Sequence, residues 1–93
     1  MSDRKKLVIK PTSKFQKDLK RAGKRGCDIE LLTEVIKTLA ADEMLDGKYL
    51  DHPLKGDYKE YRECHITSDW LLIYEIGDGS LYLIRTGTHG DLY

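Results

Sequence analysis

The spacing of hydrophobic positions changes along the chain. In "TSKFQKDLKRAGKRG" and "DIELLTEVIKTLAAD" they recur every three to four residues, which is typical of amphipathic helices. Thr12 or Ser13 and then Asp28 stand where N-caps are expected. The later runs "EYRECHI", "WLLIYEI" and "SLYLIRT" are rich in aromatic and branched residues and predict strands. A short apolar run, "KLVIKP", precedes the first helix and predicts one more strand, ending at Pro11.

The order of these segments predicts a single α+β domain spanning residues 1–93. We expect an antiparallel sheet of about four strands with a helical hairpin on one face, in the order β-α-α-β-β-β. The other face is left open. Residues 44–58 lack a sustained period and predict a long loop. Residues 87–93 contain Gly87 and Gly90 without apolar alternation, which predicts a tail that is mobile in the free protein.

Charge is distributed unevenly, although the formal net charge is zero. Residues 1–26 hold ten Lys or Arg side chains against two carboxylates. Such a basic region attracts phosphate, or else is simply a solvated helix face. No apolar run is long enough for a membrane span, and "MSDRKK" does not resemble a signal peptide, so we expect a cytoplasmic protein without a membrane partner. Cys27 and Cys64 are expected to be free thiols.

Candidate chemistry lies in the C-terminal half, where all three histidines occur. His52 is in the long loop, His65 near a strand end and His89 after the last strand, while Asp69 and Arg85 stand at neighbouring strand ends. These groups can converge at one end of the sheet. They fit either a divalent metal site or acid–base chemistry on a phosphate. The absence of HxH or HxxxH spacing, and a fixed cation at Arg85, favour the phosphate.

The same residues carry a resemblance to a known family. His-Pro-Leu-x-Gly, Arg-x-x-His, Asp-Trp-x-Leu-Ile-Tyr and Arg-Thr-Gly-Thr-His follow one another over about 40 residues. In this order and spacing they resemble the C-terminal half of YafQ-type toxins of the RelE/ParE toxin–antitoxin superfamily. The N-terminal half resembles the family only in its layout. The resemblance implies a small sheet with helices on one face, and cleavage of translated mRNA in the ribosomal A site without a metal or other cofactor.

Site residues follow from this resemblance position by position. It implies catalytic roles for five side chains, with His89 as general acid, His52 as general base and Arg85 on the transition-state phosphate; the others, His65 and Asp69, share or tune the base. Trp70 is either a residue that contacts a nucleobase of the message or a core residue. Tyr93 stands where close relatives often have Phe, and it either takes part in the chemistry or stacks on a nucleobase. We further assign ribosome contacts on the basic helix to Lys17, Lys20, Arg21 and Lys24.

Two other functions share parts of this pattern. A ParE-like toxin has the fold without the chemistry and does not need the cluster of His, Asp and Arg side chains. A plain RNA-binding module needs only the basic helix. The resemblance also implies a cognate antitoxin as a partner, beside the ribosome and translated mRNA. The sequence thus favours a ribosome-dependent endoribonuclease toxin.

Overall fold

The computed structural model describes residues 6–93; residues 1–5, which hold part of the basic N-terminal charge and most of "MSDRKK", lie outside the described range. Within residues 6–93, five strands, three helices and two short 3-10 turns follow one another. They are β1 (Val8–Pro11), α1 (Ser13–Lys24), α2 (Ile29–Ala40), a turn at Gly47–Tyr49, β2 (His52–Pro53), a turn at Gly56–Tyr58, β3 (Arg62–Thr67), β4 (Trp70–Gly77), β5 (Ser80–Gly87) and α3 (His89–Leu92).

The strands form one sheet in the order β1-β5-β4-β3-β2. The predicted α+β class is confirmed, with two differences in the sheet. β1 pairs with β5 in parallel, so the sheet is mixed rather than antiparallel. Part of the predicted loop also joins the sheet, since His52 pairs with Glu63 to make the two-residue β2. The strand count is therefore five rather than about four.

Both long helices begin at the predicted caps. The Thr12 hydroxyl accepts a hydrogen bond from the Phe15 amide, and the Asp28 carboxylate accepts one from Leu31. Each helix buries one stripe against the sheet, as its spacing predicts. The buried apolar side chains of α1 and α2 are Phe15, Ala22, Leu32, Val35 and Leu39.

The two faces of the sheet separate because side chains alternate along each strand. On β3, Cys64 and Ile66 point into the core under the helices, so Glu63 and His65 lie on the opposite face. The strand register extends the second set, since Glu63 stands opposite Ile73 and Ile73 opposite Arg85. We call this second surface the open face, and it carries most of the predicted site.

Helix α1 completes the edge of β5 where β1 ends. β1 pairs only as far as Leu83. Beyond that point the Thr12 hydroxyl donates to the Ile84 carbonyl at 3.0 Å, and the Thr86 amide donates to Asp18 at 3.2 Å. Asp18 is therefore a buried carboxylate on an otherwise basic helix, because it satisfies backbone that no strand reaches.

The predicted free thiols are confirmed for both cysteines. Cys64 is fully buried, and burial raises the pKa of its thiol to about 12, so it is inert at neutral pH. Cys27 is half-buried in the turn between α1 and α2. Across residues 6–93, none of the helices has the length and apolar character needed to cross a membrane.

Candidate active site

Four aromatic rings form a row on the open face. His52 comes from β2, His65 from β3, His89 from the start of α3 and Tyr93 from the chain end. Consecutive ring centroids are 6.0 Å, 6.2 Å and 6.1 Å apart. The structure thus brings together the three histidines that the sequence singled out, and it adds the terminal tyrosine to them.

A buried carboxylate, Glu63, lies beside this row. Its Oε1 is 3.3 Å from Nε2 of His52 and 4.0 Å from Nε2 of His65. Its Oε2 accepts a 2.6 Å hydrogen bond from the Tyr93 hydroxyl. The sequence analysis did not identify Glu63. It was nevertheless predictable, because Glu63 precedes His65 by two residues in a strand and therefore lies on the same face.

The ring of His52 is oriented from its other side. Its Nδ1 lies 2.6 Å from the carbonyl oxygen of Leu50, a residue with a left-handed backbone at φ 49°. A carbonyl only accepts, so Nδ1 carries the hydrogen and Nε2 is the atom left for proton transfer. That atom faces Oε1 of Glu63.

The segment leading to His52 is held by its neighbour Asp51. The Tyr74 hydroxyl donates to Asp51 at 2.6 Å, and Nε of Arg62 lies 3.3 Å from the same oxygen. Burial, followed by this bond to Asp51, raises the pKa of Tyr74 well above its usual range, so its hydroxyl remains a donor. The loop histidine is therefore anchored to the core.

Tyr93 contributes a protonated hydroxyl. Burial of the hydroxyl, together with its bond to Glu63, raises the pKa of Tyr93 well above its usual range. The residue is nevertheless 59% exposed, so the same side chain can present a flat surface to a ligand. Neither of the roles predicted for Tyr93, chemistry or stacking, is tested by this geometry.

Arg85 lies on the open face with both of its contacts directed to Asp18. Its Nε donates at 2.6 Å and its Nη2 at 3.1 Å to the two carboxylate oxygens. This bond is the main reason that the pKa of Arg85 is raised, and the guanidinium stays charged. Arg85 also lines a shallow hollow with Tyr58 and Tyr93, which places its charge beside the row of rings.

Asp69 and Trp70 stand apart from the histidines. Asp69 is exposed in the β3–β4 turn and lines a cavity on the α1 side of the sheet. Trp70 lines the same cavity and packs in the core, with 5% of its surface exposed. The contacts therefore connect Asp69 with Trp70 rather than with the Glu63 cluster.

The chain end is a helical turn with several anchors. Thr88 and Asp91 form a reciprocal capping box for α3, and Arg25 of α1 donates to Asp91 at 2.7 Å and 3.3 Å. The Arg25 guanidinium is the main cause that holds the pKa of Asp91 far below its usual range. The expectation of a tail without anchors is wrong, because Thr88 and Asp91, three positions apart in the sequence, form a capping box despite the neighbouring glycines.

The basic residues assigned to docking lie along α1. All four are exposed, on surfaces that do not face the sheet, and they are Lys17, Lys20, Arg21 and Lys24. Their amphipathic pattern placed them correctly on a solvent-facing surface. Their partner remains a prediction.

Three donor atoms of the cluster also meet the spacing of a metal site. One atom each from His52, Glu63 and His65 lie within 4.8 Å of one another. Two imidazoles and a carboxylate can ligate a transition metal. These three residues do not show the short HxH or HxxxH spacing of a metal motif. They come from two paired strands, and residues that are neighbours across a sheet can be distant in sequence.

Comparison with known proteins identifies the family. The family model described as "Bacterial toxin of type II toxin-antitoxin system, YafQ" matches residues 7–93. The mRNA interferase toxin YafQ of Escherichia coli K12 is 40% identical over 86 residues, covering 91% of this chain and 94% of the relative.

Solved structures agree in both fold and sequence. A copper-bound mutant toxin from Helicobacter pylori has a TM-score of 0.90 at 42% identity, covering 94% of this chain and 99% of that one. YafQ in the E. coli DinJ–YafQ toxin–antitoxin complex has a TM-score of 0.88 at 38% identity, covering 95% and 98%. The predicted family and the predicted endoribonuclease class are confirmed. The chain that carries this row of histidines beside Glu63 therefore belongs to the YafQ family of bacterial toxins of type II toxin–antitoxin systems.

Proposed function

We propose that this chain cleaves mRNA on the ribosome, using the ribose 2′-hydroxyl of the message as the nucleophile. The observation that carries the proposal is the row of His52, His65 and His89 beside the buried Glu63. Imidazoles exchange protons near neutral pH, and a phosphodiester cleavage of this kind needs two such groups. The name of the E. coli relative, mRNA interferase toxin YafQ, supports mRNA as the substrate.

The reaction transfers one proton on each side of the phosphorus. A base takes the proton of the 2′-hydroxyl as its oxygen attacks, and an acid protonates the departing 5′-oxygen. The products are a 2′,3′-cyclic phosphate and a 5′-hydroxyl. Because RNA supplies its own nucleophile, no activated water is required.

We assign the base to Nε2 of His52. Its Nδ1 is engaged with the Leu50 carbonyl, so a proton from the substrate adds at Nε2 and makes a cation 3.3 Å from Glu63. A nearby carboxylate lowers the energy of that imidazolium. Tyr93 holds the other Glu63 oxygen and so keeps the carboxylate aimed at the histidines. His65, next in the row, shares this role.

We assign the acid to His89, the exposed ring at the start of α3. Its ring centroid is 6.2 Å from that of His65, so a phosphate seated over the row has imidazoles on two sides. Arg85 supplies the positive charge that offsets the pentavalent intermediate, and Asp18 fixes its direction. Asp69, which is exposed in the β3–β4 turn, contacts the message beside the cut.

Two partners follow from the same proposal. The exposed cations of α1 bind ribosomal RNA and place the open face in the A site. A cognate antitoxin neutralises the protein, as the complex of DinJ with E. coli YafQ suggests by its composition.

The decisive experiment analyses RNA ends in a reconstituted translation system. We expect a message to be cut only when ribosomes translate it, leaving a 5′-hydroxyl and a cyclic phosphate. The same message without ribosomes is the control, and an EDTA-dialysed protein sample tests the metal. Ends with a 5′-phosphate, or an intact message, would refute the proposal. If EDTA abolishes cleavage and Zn²⁺ restores it, His52, Glu63 and His65 are ligands instead.

A further inference from the structure

The shallow hollow beside Arg85 on the open face is partly built from residues that the proposed proton transfers do not use. Its volume is about 190 Å³. Tyr58 comes from the second 3-10 turn, Tyr61 directly precedes β3, and Lys14 belongs to the first turn of α1. Tyr93 lines the same hollow and also ends the row of rings. The hollow is therefore continuous with the candidate active site.

Tyr58 offers an accessible aromatic surface at this hollow. The residue is 51% exposed, whereas its neighbour Tyr61 is half-buried. Their ring centroids are 6.3 Å apart with an angle of 36° between the planes, which lies within the range of favourable aromatic pairs. Tyr61 therefore braces Tyr58. A ring that is already held in place loses little conformational entropy when a ligand stacks on it.

The rest of the hollow combines apolar surface with positive charge. Ile73, Ile84 and Leu92 supply the apolar part, while Lys14 and Arg85 supply two cations. An apolar peptide would use the first group and leave the cations unpaired. A nucleotide uses both, because its base stacks on an aromatic ring and its phosphate attracts cations.

Size limits how much of a nucleotide can enter. Pockets for whole drug-sized molecules usually measure about 300–1,000 Å³, so the hollow admits one base and leaves the sugar and phosphate outside. The base and phosphate of a nucleotide are separated by a single sugar. A base in the hollow and a phosphate beside Arg85 therefore fit one strand of RNA at its cleavage point.

We infer that this hollow is a stacking subsite for one nucleobase of the message, in a nucleotide that flanks the cut. The base lies on the ring of Tyr58, and Lys14 neutralises a neighbouring phosphate. Stacking accepts all four bases, since each has a π surface, so the subsite positions the strand without selecting its sequence. This inference rests on the proposed RNA cleavage and adds a contact to a base beside the contacts to phosphate.

The test removes the base and the ring separately and then together. The cut in one message is mapped first in the reconstituted translation system. Two further messages each lack the base of one nucleotide flanking that cut. We expect the parent to cleave one of these two abasic messages with a kcat/KM about tenfold lower than for the intact message.

Tyr58→Ala should show about the same tenfold loss on the intact message, and no further loss on that abasic message. A purely structural effect of the substitution would leave the sensitivity to the missing base unchanged. Tyr58→Leu covers the apolar surface without a flat ring and should behave like Tyr58→Ala, so it decides the result if the alanine variant unfolds. Tyr58→Phe restores the ring and should restore the sensitivity.

Tyr82→Ala is the matched control. Tyr82 lies on the same strand as Arg85, but its ring is under Lys10 and does not line the hollow. This variant should keep the parental kcat/KM and the full sensitivity to the missing base. A parent that cleaves both abasic messages as fast as the intact one overturns the subsite, as do Tyr58→Ala and Tyr58→Leu variants that remain sensitive. A parent that does not cut the intact message refutes the proposed function instead.

Discussion

The two faces of the sheet are made by the same strands, yet the side chains on each face make different kinds of contact. On β3, Cys64 and Ile66 bury apolar surface under the helices, with 0% and 4% of each exposed. Their neighbours Glu63 and His65 hold polar atoms in mutual contact on the open face. The core face is stabilised by burial of apolar surface, whereas the open face gathers groups that exchange protons.

This difference shows why one residue step along a strand changes the consequence of a mutation. A core side chain acts on the whole fold through packing. A side chain on the open face acts on the fold only as far as it also covers apolar surface. Exposed members such as His89 should therefore affect activity alone, while Leu71, buried beneath the same face, should affect both.

The largest effect is expected from His89→Ala. The variant removes the proposed general acid, and cleavage should fall about 10²- to 10⁴-fold. Because the side chain is exposed, the melting temperature should stay close to the parent value. Cleavage rates on translating ribosomes, beside thermal unfolding of the purified protein, measure both quantities. Parental cleavage would show that His89 is not the acid.

A matched pair of leucines separates the two faces directly. Leu71 and Leu72 are adjacent in β4 and both fully buried, but only Leu72 belongs to the core under the helices. Each change to Ala should lower the free energy of unfolding by about 2–5 kcal/mol, measured in urea. Per folded molecule, Leu72→Ala should cleave at nearly the parental rate.

Leu71→Ala should lose activity as well, because Leu71 stands opposite His65 in the sheet and next to Gly87 on the other side. Equal activity losses in the two variants would mean that the faces are not functionally distinct.

The sequence predicted those parts of the molecule that depend on local spacing. Both helix caps, the three C-terminal strands and the convergence of the histidines follow from periodicity and from the order of elements. Glu63 could also have been found, since alternation from His65 places it on the same face. The cap formed by Thr88 and Asp91 was likewise predictable from the spacing of these two residues, whereas the glycines beside them led to the prediction of a mobile tail.

Long-range pairings could not be derived in this way. Asp18 and Arg85 are 67 residues apart, and nothing local indicates that an acid in a basic helix will reach the end of β5. The parallel pairing of β1 with β5 has the same origin, because periodicity identifies strands without identifying their partners. The Asp18–Arg85 contact depends on how α1 passes along the sheet edge.

The third prediction concerns the exposed cations of α1, which do not face the sheet. Replacing the four docking cations with Ala should weaken ribosome binding by at least about tenfold, and should make the remaining binding less sensitive to salt. A control variant loses the same charge elsewhere, at Lys6, Lys10, Lys37 and Lys48. Sedimentation with ribosomes at several salt concentrations measures both. If the two variants bind equally, only the net charge matters, and α1 is an ordinary solvated helix.

The smallest effect is expected at the ion pair between α1 and α3, where Arg25 holds Asp91. The folded-state pKa of Asp91 lies below its unfolded value of about 3.9, so the anchor is fully present above about pH 5 and is lost as the pH falls through that lower value. Asp91→Asn removes the charge at every pH while keeping an oxygen that can accept from Thr88. Because Arg25 is exposed and screened by solvent, we expect only a few-fold loss of cleavage at pH 7. Amide exchange at Leu92 and Tyr93 should be faster in Asp91→Asn at pH 7, and the parent should approach it only in acid. Identical exchange in the two proteins at pH 7 would show that Tyr93 and its bond to Glu63 are sufficient to hold α3 against the sheet.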